Sequence, residues 1–264
     1  MSENLSDLRT AFLISGGGTT AEAAIKACQS GEIEDIDPVV VISNRPYADG
    51  IRKAKELGIP TAIVERKGVT FEEFGDNLYE VLQNYNVDFI SQNGWLPTTP
   101  PNIIEKYLIV NQHPGKITGG TGLDFGGRGM YGSRVTAATL IYEWIIGQPN
   151  PFTESTIHYV NGQIDKGLLI RVASLKIPSL AEPVTIADFQ TENALRKLLI
   201  DTTVNVQNLL LPIEHQNLIE TLKMFGTGSE IKGWSRNPED IVPQQMIEIL
   251  SAAKELGIEI FPNG

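Results

Sequence analysis

Short apolar runs alternate with amphipathic segments between residues 11 and 111. The apolar runs are typical of buried strands, and the segments between them show the spacing of three to four residues that indicates helices. The predicted strands are 11–14, 39–42, 61–64, 87–91 and 108–111, and the predicted helices are 20–27, 47–57, 71–85 and 101–107. Repeated strand–helix units of this kind predict an α/β fold with a doubly wound, mostly parallel sheet.

The pattern changes after residue 113. Eight glycines fall within residues 115–132, which predicts a long loop. A helix over 133–146 follows, and then two strands over 153–160 and 168–177 that are joined by a turn at Asn161 and Gly162. We expect these later strands to be partly antiparallel.

The C-terminal part of the chain is predicted to be helical. Residues 194–225 carry helical patterning with Pro212 inside it, which indicates either a kinked helix or two helices. A last helix is expected to open at Asn237. These features predict one main domain over residues 1–225 and a C-terminal extension over 226–264 that packs on it without forming an independent domain.

The composition narrows the classes of protein that fit this chain. The sequence has 264 residues with 41% hydrophobic and 20% charged side chains, which suits one large globular domain. The net charge of −11 repels phosphate backbones and anionic lipids, so neither a nucleic acid nor a membrane is expected as a partner. One cysteine, Cys28, and a polar N-terminal segment favour a cytoplasmic protein. The three histidines are scattered, so no metal is expected.

A glycine-rich turn follows the first predicted strand. Gly16, Gly17, Gly18, Thr19 and Thr20 lie where that strand meets a helix N-terminus, and backbone N–H groups at such a turn suit a phosphate. The segment is neither G-x-G-x-x-G nor a Walker sequence. The alternative is a tight turn that simply needs small residues.

Asn111 and His113 lie at the C-terminal end of a predicted central strand, the edge where open parallel sheets place their sites. Being two residues apart, they share one face of the strand, and an amide beside an imidazole can bind one carbonyl oxygen. Asp165 falls in the connection between two later strands, where acids are usually turn residues. His158 alternates with apolar neighbours, which indicates a core position. By themselves, Asn111 and His113 could equally satisfy backbone groups at a strand end.

Together these motifs resemble the glycinamide ribonucleotide formyltransferase family, whose catalytic triad is an Asn-x-His-Pro strand end with an Asp on a later loop. The resemblance spans about residues 8–225. Its matching residues are Ile14 to Gly18, Ser43-Asn44-Arg45, Gly94-Trp95-Leu96, Asn111, His113 and the spaced Thr156-x-His158-x-Val160-x4-Asp165-x-Gly167. It implies a Rossmann-like formyltransferase fold and transfer of a formyl group from 10-formyltetrahydrofolate to glycinamide ribonucleotide, a step of purine biosynthesis.

The resemblance also implies roles for individual residues. Asn111 and a protonated His113 would stabilise the oxyanion, and Asp165 would pair with His113 and help to remove the proton of the amine. The segment 16–20 would bind the phosphate of the amine substrate. Folate binding would involve Gly94, Trp95, Leu96 and Ile164.

Two departures from the family concern the amine substrate. The loop 115–132 replaces a shorter Ser-Leu-Leu-Pro segment, and Gln207 stands where the family has a Glu that holds the substrate sugar. We therefore expect Gln207, Lys116 and Arg128 to contact the amine substrate. Three alternatives remain: a different amine, such as an amino sugar nucleotide; hydrolysis of formyltetrahydrofolate; and a non-catalytic ligand-binding module.

Overall fold

A computed structural model describes residues 7–228 and 230–264. Within these residues, seven strands and eight α-helices follow the predicted alternation. The strands are β1 (Leu8–Ile14), β2 (Ile36–Ser43), β3 (Thr61–Ile63), β4 (Phe89–Asn93), β5 (Leu108–His113), β6 (Phe152–Tyr159) and β7 (Leu169–Lys176). The helices are α1 (Thr19–Gln29), α2 (Asp49–Glu56), α3 (Phe71–Asn84), α4 (Pro101–Ile104), α5 (Ser133–Ile145), α6 (Ile186–Thr191), α7 (Asn193–Gly226) and α8 (Ile247–Ile260).

All seven strands form one sheet in the order β3-β2-β1-β4-β5-β6-β7. The first five strands are parallel, whereas β6 and β7 are antiparallel to their neighbours, as the sequence predicts. The strand order reverses direction between β1 and β4. Open α/β sheets bind ligands outside the carboxyl ends of the strands at such a reversal, so the topology places a crevice beside the ends of β1, β4 and β5.

The sheet is covered on both faces. One face packs apolar strand residues such as Phe12 and Phe89 against α1, α2 and α7, and the other packs Leu13 and Ile90 against α3 and α4. A further cluster joins α5, α6, α7 and α8. Because parallel strands are buried on both faces, their sequences are continuous apolar runs.

The C-terminal extension packs against the sheet domain through α8 and α5. Gly257 of α8 comes so close to α5 that an added Cβ would lie 2.9 Å from the carbonyl oxygen of Arg134. The side chain of Arg134 donates to the carbonyl oxygens of Phe261 and Pro262 beyond α8. The end of the chain is thereby held at the start of α5.

Two expectations for the C-terminal helices are wrong. The last helix begins at Ile247 and not at Asn237, because Pro238 and Pro243 interrupt the segment and only short 3-10 turns form at 238–240 and 244–246. The alternative of two helices around Pro212 also fails, since α7 runs continuously across it. Pro212 is exposed, so its ring is accommodated on the solvent side.

Candidate active site

Three polar side chains meet where β5 ends. Asn111 and His113 belong to β5, and Asp165 comes from the connection between β6 and β7. The Oδ2 atom of Asp165 lies 3.6 Å from Nδ1 of His113, and its Oδ1 atom lies 3.5 Å from Nδ2 of Asn111. The fold thus brings together residues that are 54 positions apart in the sequence.

Asp165 is held in place by the glycine loop, which is the segment 115–132. The amide N–H of Gly127 donates to Oδ2 of Asp165 at 2.8 Å. The backbone of Asp165 has a φ of 56°, in the left-handed region that aspartate tolerates better than most residues. At Gly126, an added Cβ would lie only 2.6 Å from the Cβ of Asp165. A glycine at 126 therefore lets the loop close onto the carboxylate.

His158 also belongs to this cluster. It is buried, as the sequence indicates, but it lies opposite Asn111 on the neighbouring strand. Its Nδ1 atom is 2.8 Å from the carbonyl oxygen of Tyr159, and because a carbonyl only accepts, Nδ1 carries the proton. Its Nε2 atom lies 3.1 Å from Nδ2 of Asn111 and 3.6 Å from Oδ1 of Asp165. His158 thus orients the Asn111 amide.

His113 and Asp165 are buried side by side, so the charge of each acts on the pKa of the other. Burial lowers the pKa of His113, and the charge of Asp165 offsets only part of this effect. For Asp165, burial acts to raise the pKa, but His113, His158 and the Gly127 N–H group together bring it well below its usual range. Nε2 of His113 is buried and has no hydrogen-bond partner among the described residues.

A cavity of about 550 Å³ opens beside Asn111, His113 and Asp165. It lies at the crevice that the sheet topology predicts. Its walls come from the loop after β1, the ends of β4 and β5, the glycine loop and α7. They include Gly16 to Thr20, Asn93 to Leu96, Asn111 to Pro114, Gly127 to Gly132, Gln207, Asn208, Leu210, Leu211 and Glu214.

The segment 16–20 forms one end of this cavity. Gly18 has a φ of 62° and precedes α1, and no side chain caps the first turn of that helix. An added Cβ on Gly18 would lie 2.8 Å from the Cα of Gly50 in α2, so this close contact requires glycine. At Gly17, in contrast, an added Cβ would meet only Cγ2 of Thr19, at 4.0 Å. Uncapped N–H groups at a helix N-terminus facing a cavity suit an anion.

A smaller cavity of about 90 Å³ adjoins the first one. The two share wall residues: Trp95, Leu96, Thr98, Asn111, Ile164 and Asp165. Two hydrogen bonds tie the segment 94–96 to the end of β1, because Ser15 donates its N–H to Gly94 and accepts from the N–H of Leu96. Of the residues expected from the sequence to bind folate, Trp95, Leu96 and Ile164 line both cavities, and Gly94 lines the larger one.

The residues expected to contact the amine substrate divide into two groups. Gln207 and Arg128 line the larger cavity. Lys116 does not, and this expectation is corrected: its ammonium group is buried and forms an ion pair with Glu143 of α5. A buried cation requires such a partner, so the path of the glycine loop directs Lys116 into the core.

The sequence interpretation missed one carboxylate in the cavity. Glu214 lines the larger cavity on α7, seven residues after Gln207. Burial raises its pKa to about 7, and a hydrogen bond to Gln112 acts in the opposite direction. The sequence carries a usable signal, since residues seven apart lie on one face of a helix.

Three further features of residues 7–228 and 230–264, the described part of the chain, bear on function. In this part of the chain, no three His, Cys, Asp or Glu side chains are grouped so that they could hold a metal ion. Nor does it contain a helix with the length and apolar character needed to cross a membrane. Burial raises the pKa of Cys28 to about 11, which keeps this thiol protonated at neutral pH.

Known proteins similar to this chain share both its sequence pattern and its fold. The model of the family described as formyl transferase matches residues 8–116, which include Asn111 and His113. The phosphoribosylglycinamide formyltransferase of Haemophilus influenzae is 30% identical over 172 residues, covering 64% of this chain and 73% of that protein. The chain belongs to the formyl transferase family.

Further relatives of this formyl transferase extend the comparison. The chloroplastic phosphoribosylglycinamide formyltransferase of Arabidopsis thaliana is 26% identical over 187 residues, which span 59% of that protein. The crystal structure of glycinamide ribonucleotide transformylase 1 from Symbiobacterium toebii has a TM-score of 0.66 at 22% identity, covering 87% of this chain and 94% of that one. This structural match confirms the predicted α/β fold with its mostly parallel sheet.

Proposed function

We propose that this formyl transferase moves a formyl group from 10-formyltetrahydrofolate to the amine of glycinamide ribonucleotide. The observation that carries the proposal is the position of Asn111, His113 and Asp165, which meet beside two adjoining cavities. The larger cavity ends at the uncapped N-terminus of α1, whose N–H groups suit an anion, and the smaller cavity is bordered by Trp95. The names of the relatives from Haemophilus influenzae and Arabidopsis thaliana support the same amine substrate.

The smaller cavity fits the folate donor. Its walls combine apolar side chains, such as Leu96 and Val160, with polar groups. Nε1 of Trp95, on the wall shared by both cavities, and Nδ2 of Asn93, on the wall of the larger one, are buried donors without a hydrogen-bond partner among the described residues. Buried donors of this kind are costly unless they are paired, and a pterin ring offers nitrogen and oxygen atoms that can accept from them. The formyl group would then lie beside Asn111.

The geometry supports a direct transfer in which His113 handles one proton. As the amine nitrogen bonds to the formyl carbon, Nε2 of the neutral His113 accepts the amine proton. The resulting imidazolium is stabilised by Asp165 and donates a hydrogen bond to the oxyanion. His113 then delivers the proton to N10 of the folate as the bond between N10 and the formyl carbon breaks. The products are the formylated amine and tetrahydrofolate, and no covalent enzyme intermediate is needed.

Asn111 provides the second donor to the oxyanion. One hydrogen of its Nδ2 group is directed to His158 at 3.1 Å. The other has only the long 3.5 Å contact with Asp165, so it can turn to the oxyanion as that charge forms. One such donor contributes roughly 3 kcal/mol to transition-state stabilisation.

The larger cavity can hold the amine substrate between charges of both signs. The N-terminus of α1 and Arg128 would bind the phosphate, which needs local positive potential in a chain of net charge −11. Glu214 would supply the carboxylate that binds the sugar hydroxyls, because residue 207 is a glutamine and has no carboxylate. Charge-assisted hydrogen bonds are about twice as strong as neutral ones, so moving the carboxylate along α7 preserves the recognition.

The test is a transfer reaction with a panel of amines. The protein is incubated with 10-formyltetrahydrofolate and each amine, and any formylated product is identified by mass. Formylated glycinamide ribonucleotide is the expected product. Formate as the sole product would overturn the proposal in favour of a hydrolase, and binding of a folate analogue without turnover would indicate a ligand-binding module.

A different amine substrate is the second candidate, because Gln207 stands where the family has a Glu. Its Oε1 atom accepts from the hydroxyl of Ser133 at 2.8 Å, which leaves an NH₂ donor for the cavity. With glycinamide ribonucleotide as substrate, Gln207→Glu should lower its KM. If the natural amine is another, the same change should reduce turnover of that amine. Gln216→Glu, which places the same charge on α7 at an exposed position, is the matched control.

A further inference from the structure

One peptide unit of the glycine loop connects the C-terminal extension with the active site. The N–H of Gly127 donates to Oδ2 of Asp165 at 2.8 Å. The carbonyl group of the same peptide unit belongs to Gly126, and it accepts from Nζ of Lys254 on α8 at 2.7 Å. Oδ2 is also the oxygen that lies 3.6 Å from Nδ1 of His113. Three consecutive contacts therefore lead from α8 to the histidine.

A cation on one end of a peptide unit strengthens the donor at its other end. The ammonium group polarises the carbonyl of Gly126, and this makes the N–H of Gly127 a better donor to the carboxylate. The contact is also tight, since an added Cβ on Gly126 would lie 2.9 Å from Cγ2 of Ile117 as well as against Asp165. Lys254 thus acts on the orientation and the charge of one carboxylate.

The surroundings of Lys254 indicate that this contact is a built feature. The side chain is half-buried, and burial lowers its pKa while the charges of Asp124 and Asp165 oppose that effect. Asp124 is itself already bonded to Lys166 at 2.7 Å and to the backbone N–H of Gly126 at 3.0 Å. A desolvated ammonium group is stable here because it donates to the loop and lies near these carboxylates.

The extension is fixed to the loop at a second point. Arg134 donates to the carbonyl oxygen of Gly129 at 3.0 Å and, on its other side, to that of Phe261 at 2.8 Å. The loop, the start of α5 and the end of the chain therefore form one unit. This arrangement keeps Lys254 in register with the peptide unit that it contacts.

We propose that Lys254 is a positioning residue for Asp165, acting through the peptide unit between Gly126 and Gly127. The C-terminal extension then contributes to catalysis in addition to packing on the domain. The kinetic test of this role rests on the proposed formyl transfer. A second measurement uses the substrate-free protein and does not depend on that activity. Failure of the proposed activity can therefore be told apart from failure of the proposed role of Lys254.

The kinetic test compares three variants. Lys254→Met removes the charge and the donor while keeping an unbranched side chain, and we expect kcat to fall about tenfold, which corresponds to about 1.4 kcal/mol. The KM values of both substrates should change little, because Lys254 contacts neither cavity. Lys254→Arg keeps a charged donor and should restore most of kcat. Glu259→Gln removes an exposed ion pair between α8 and Arg196 and should behave as the unmodified protein.

The second measurement follows the Gly127 amide by NMR without substrate. A proton donated to a carboxylate resonates downfield and exchanges slowly, so Lys254→Met should move this resonance upfield and speed its exchange. A Lys254→Met protein with unchanged kcat and an unmoved Gly127 resonance would overturn the proposal. Equal losses of kcat and Tm in Lys254→Met and Lys254→Arg would assign the lysine a packing role only.

Discussion

Replacing Asp165 by asparagine tests the charge of the proposed catalytic pair with little disturbance of the fold. Asparagine has the same shape and also tolerates the left-handed φ of 56° found at this position. Its amide oxygen can still accept the hydrogen bond from Gly127. The substitution therefore removes the negative charge 3.6 Å from Nδ1 of His113 and keeps the Gly127 bond; it also replaces Oδ1, the acceptor of the long Asn111 contact, by an NH₂ group.

The size of the effect follows from that distance. Two unit charges 3.6 Å apart interact with about 4 to 5 kcal/mol at an effective dielectric constant of about 20. In the proposed mechanism His113 becomes charged only as it accepts the proton of the amine. The substitution therefore removes this stabilisation from the transition state and not from the ground state. We expect kcat to fall by about 100-fold to 1000-fold, with KM changing much less.

Steady-state and single-turnover rates of formyl transfer measure this effect, and thermal unfolding checks the fold. Asp35→Asn is a matched control, because Asp35 has the same backbone conformation, with a φ of 59°, but is exposed and outside the cavities. It should retain full activity. A kcat of Asp165→Asn within tenfold of the unmodified protein would refute the assigned role of the charge.

Three further predictions concern the same cavities. His113→Ala should lower kcat at least about 100-fold, and combining it with Asp165→Asn should add little, because residues that act as a unit are non-additive; a multiplicative loss would place them in independent roles. Gly17→Val should raise the KM of the amine substrate much more than that of the folate, since its side chain would enter the larger cavity at the proposed phosphate site; equal effects would move that site elsewhere. Glu214 has a folded-state pKa raised to about 7, so its ionisation destabilises the fold as the pH rises from about 4.5 through 7. Glu214→Gln should therefore raise Tm at pH 8 but not at pH 4, while weakening binding of the amine substrate; an unchanged Tm at pH 8 would contradict the burial argument.

The alternation of apolar runs and helical patterns was sufficient to predict the parallel part of the sheet. Each element of a βα unit is encoded by its own local periodicity, so the order of elements could be inferred without knowing their contacts. The Asn-x-His pair was equally local, because two residues at the end of one strand share a face. Asp165 was predicted as a site residue from the family motif, because the local sequence around it indicates only a turn residue.

The start of the last helix shows a limit of such local patterns. Asn237 and Pro238 form a typical helix opening, yet Pro243 follows within two turns and prevents a helix from continuing, so the last helix begins only at Ile247. The sequence contains both the helix start at Asn237 and the interruption at Pro243. Which of them decides where the helix begins depends on how the segment packs against α5 and the glycine loop.

Only the tertiary structure decided which charged residues face the site. Lys116 lies three residues after the end of β5, but its side chain enters the core and pairs with Glu143. Lys254 is 128 positions from Gly126 in the sequence and yet donates a hydrogen bond to it. The direction of a side chain in a long loop is determined by the packing of distant segments, and no local period encodes that packing. The sequence alone therefore determined the fold class and the chemistry at the end of β5, and the tertiary contacts determined which charges support that chemistry.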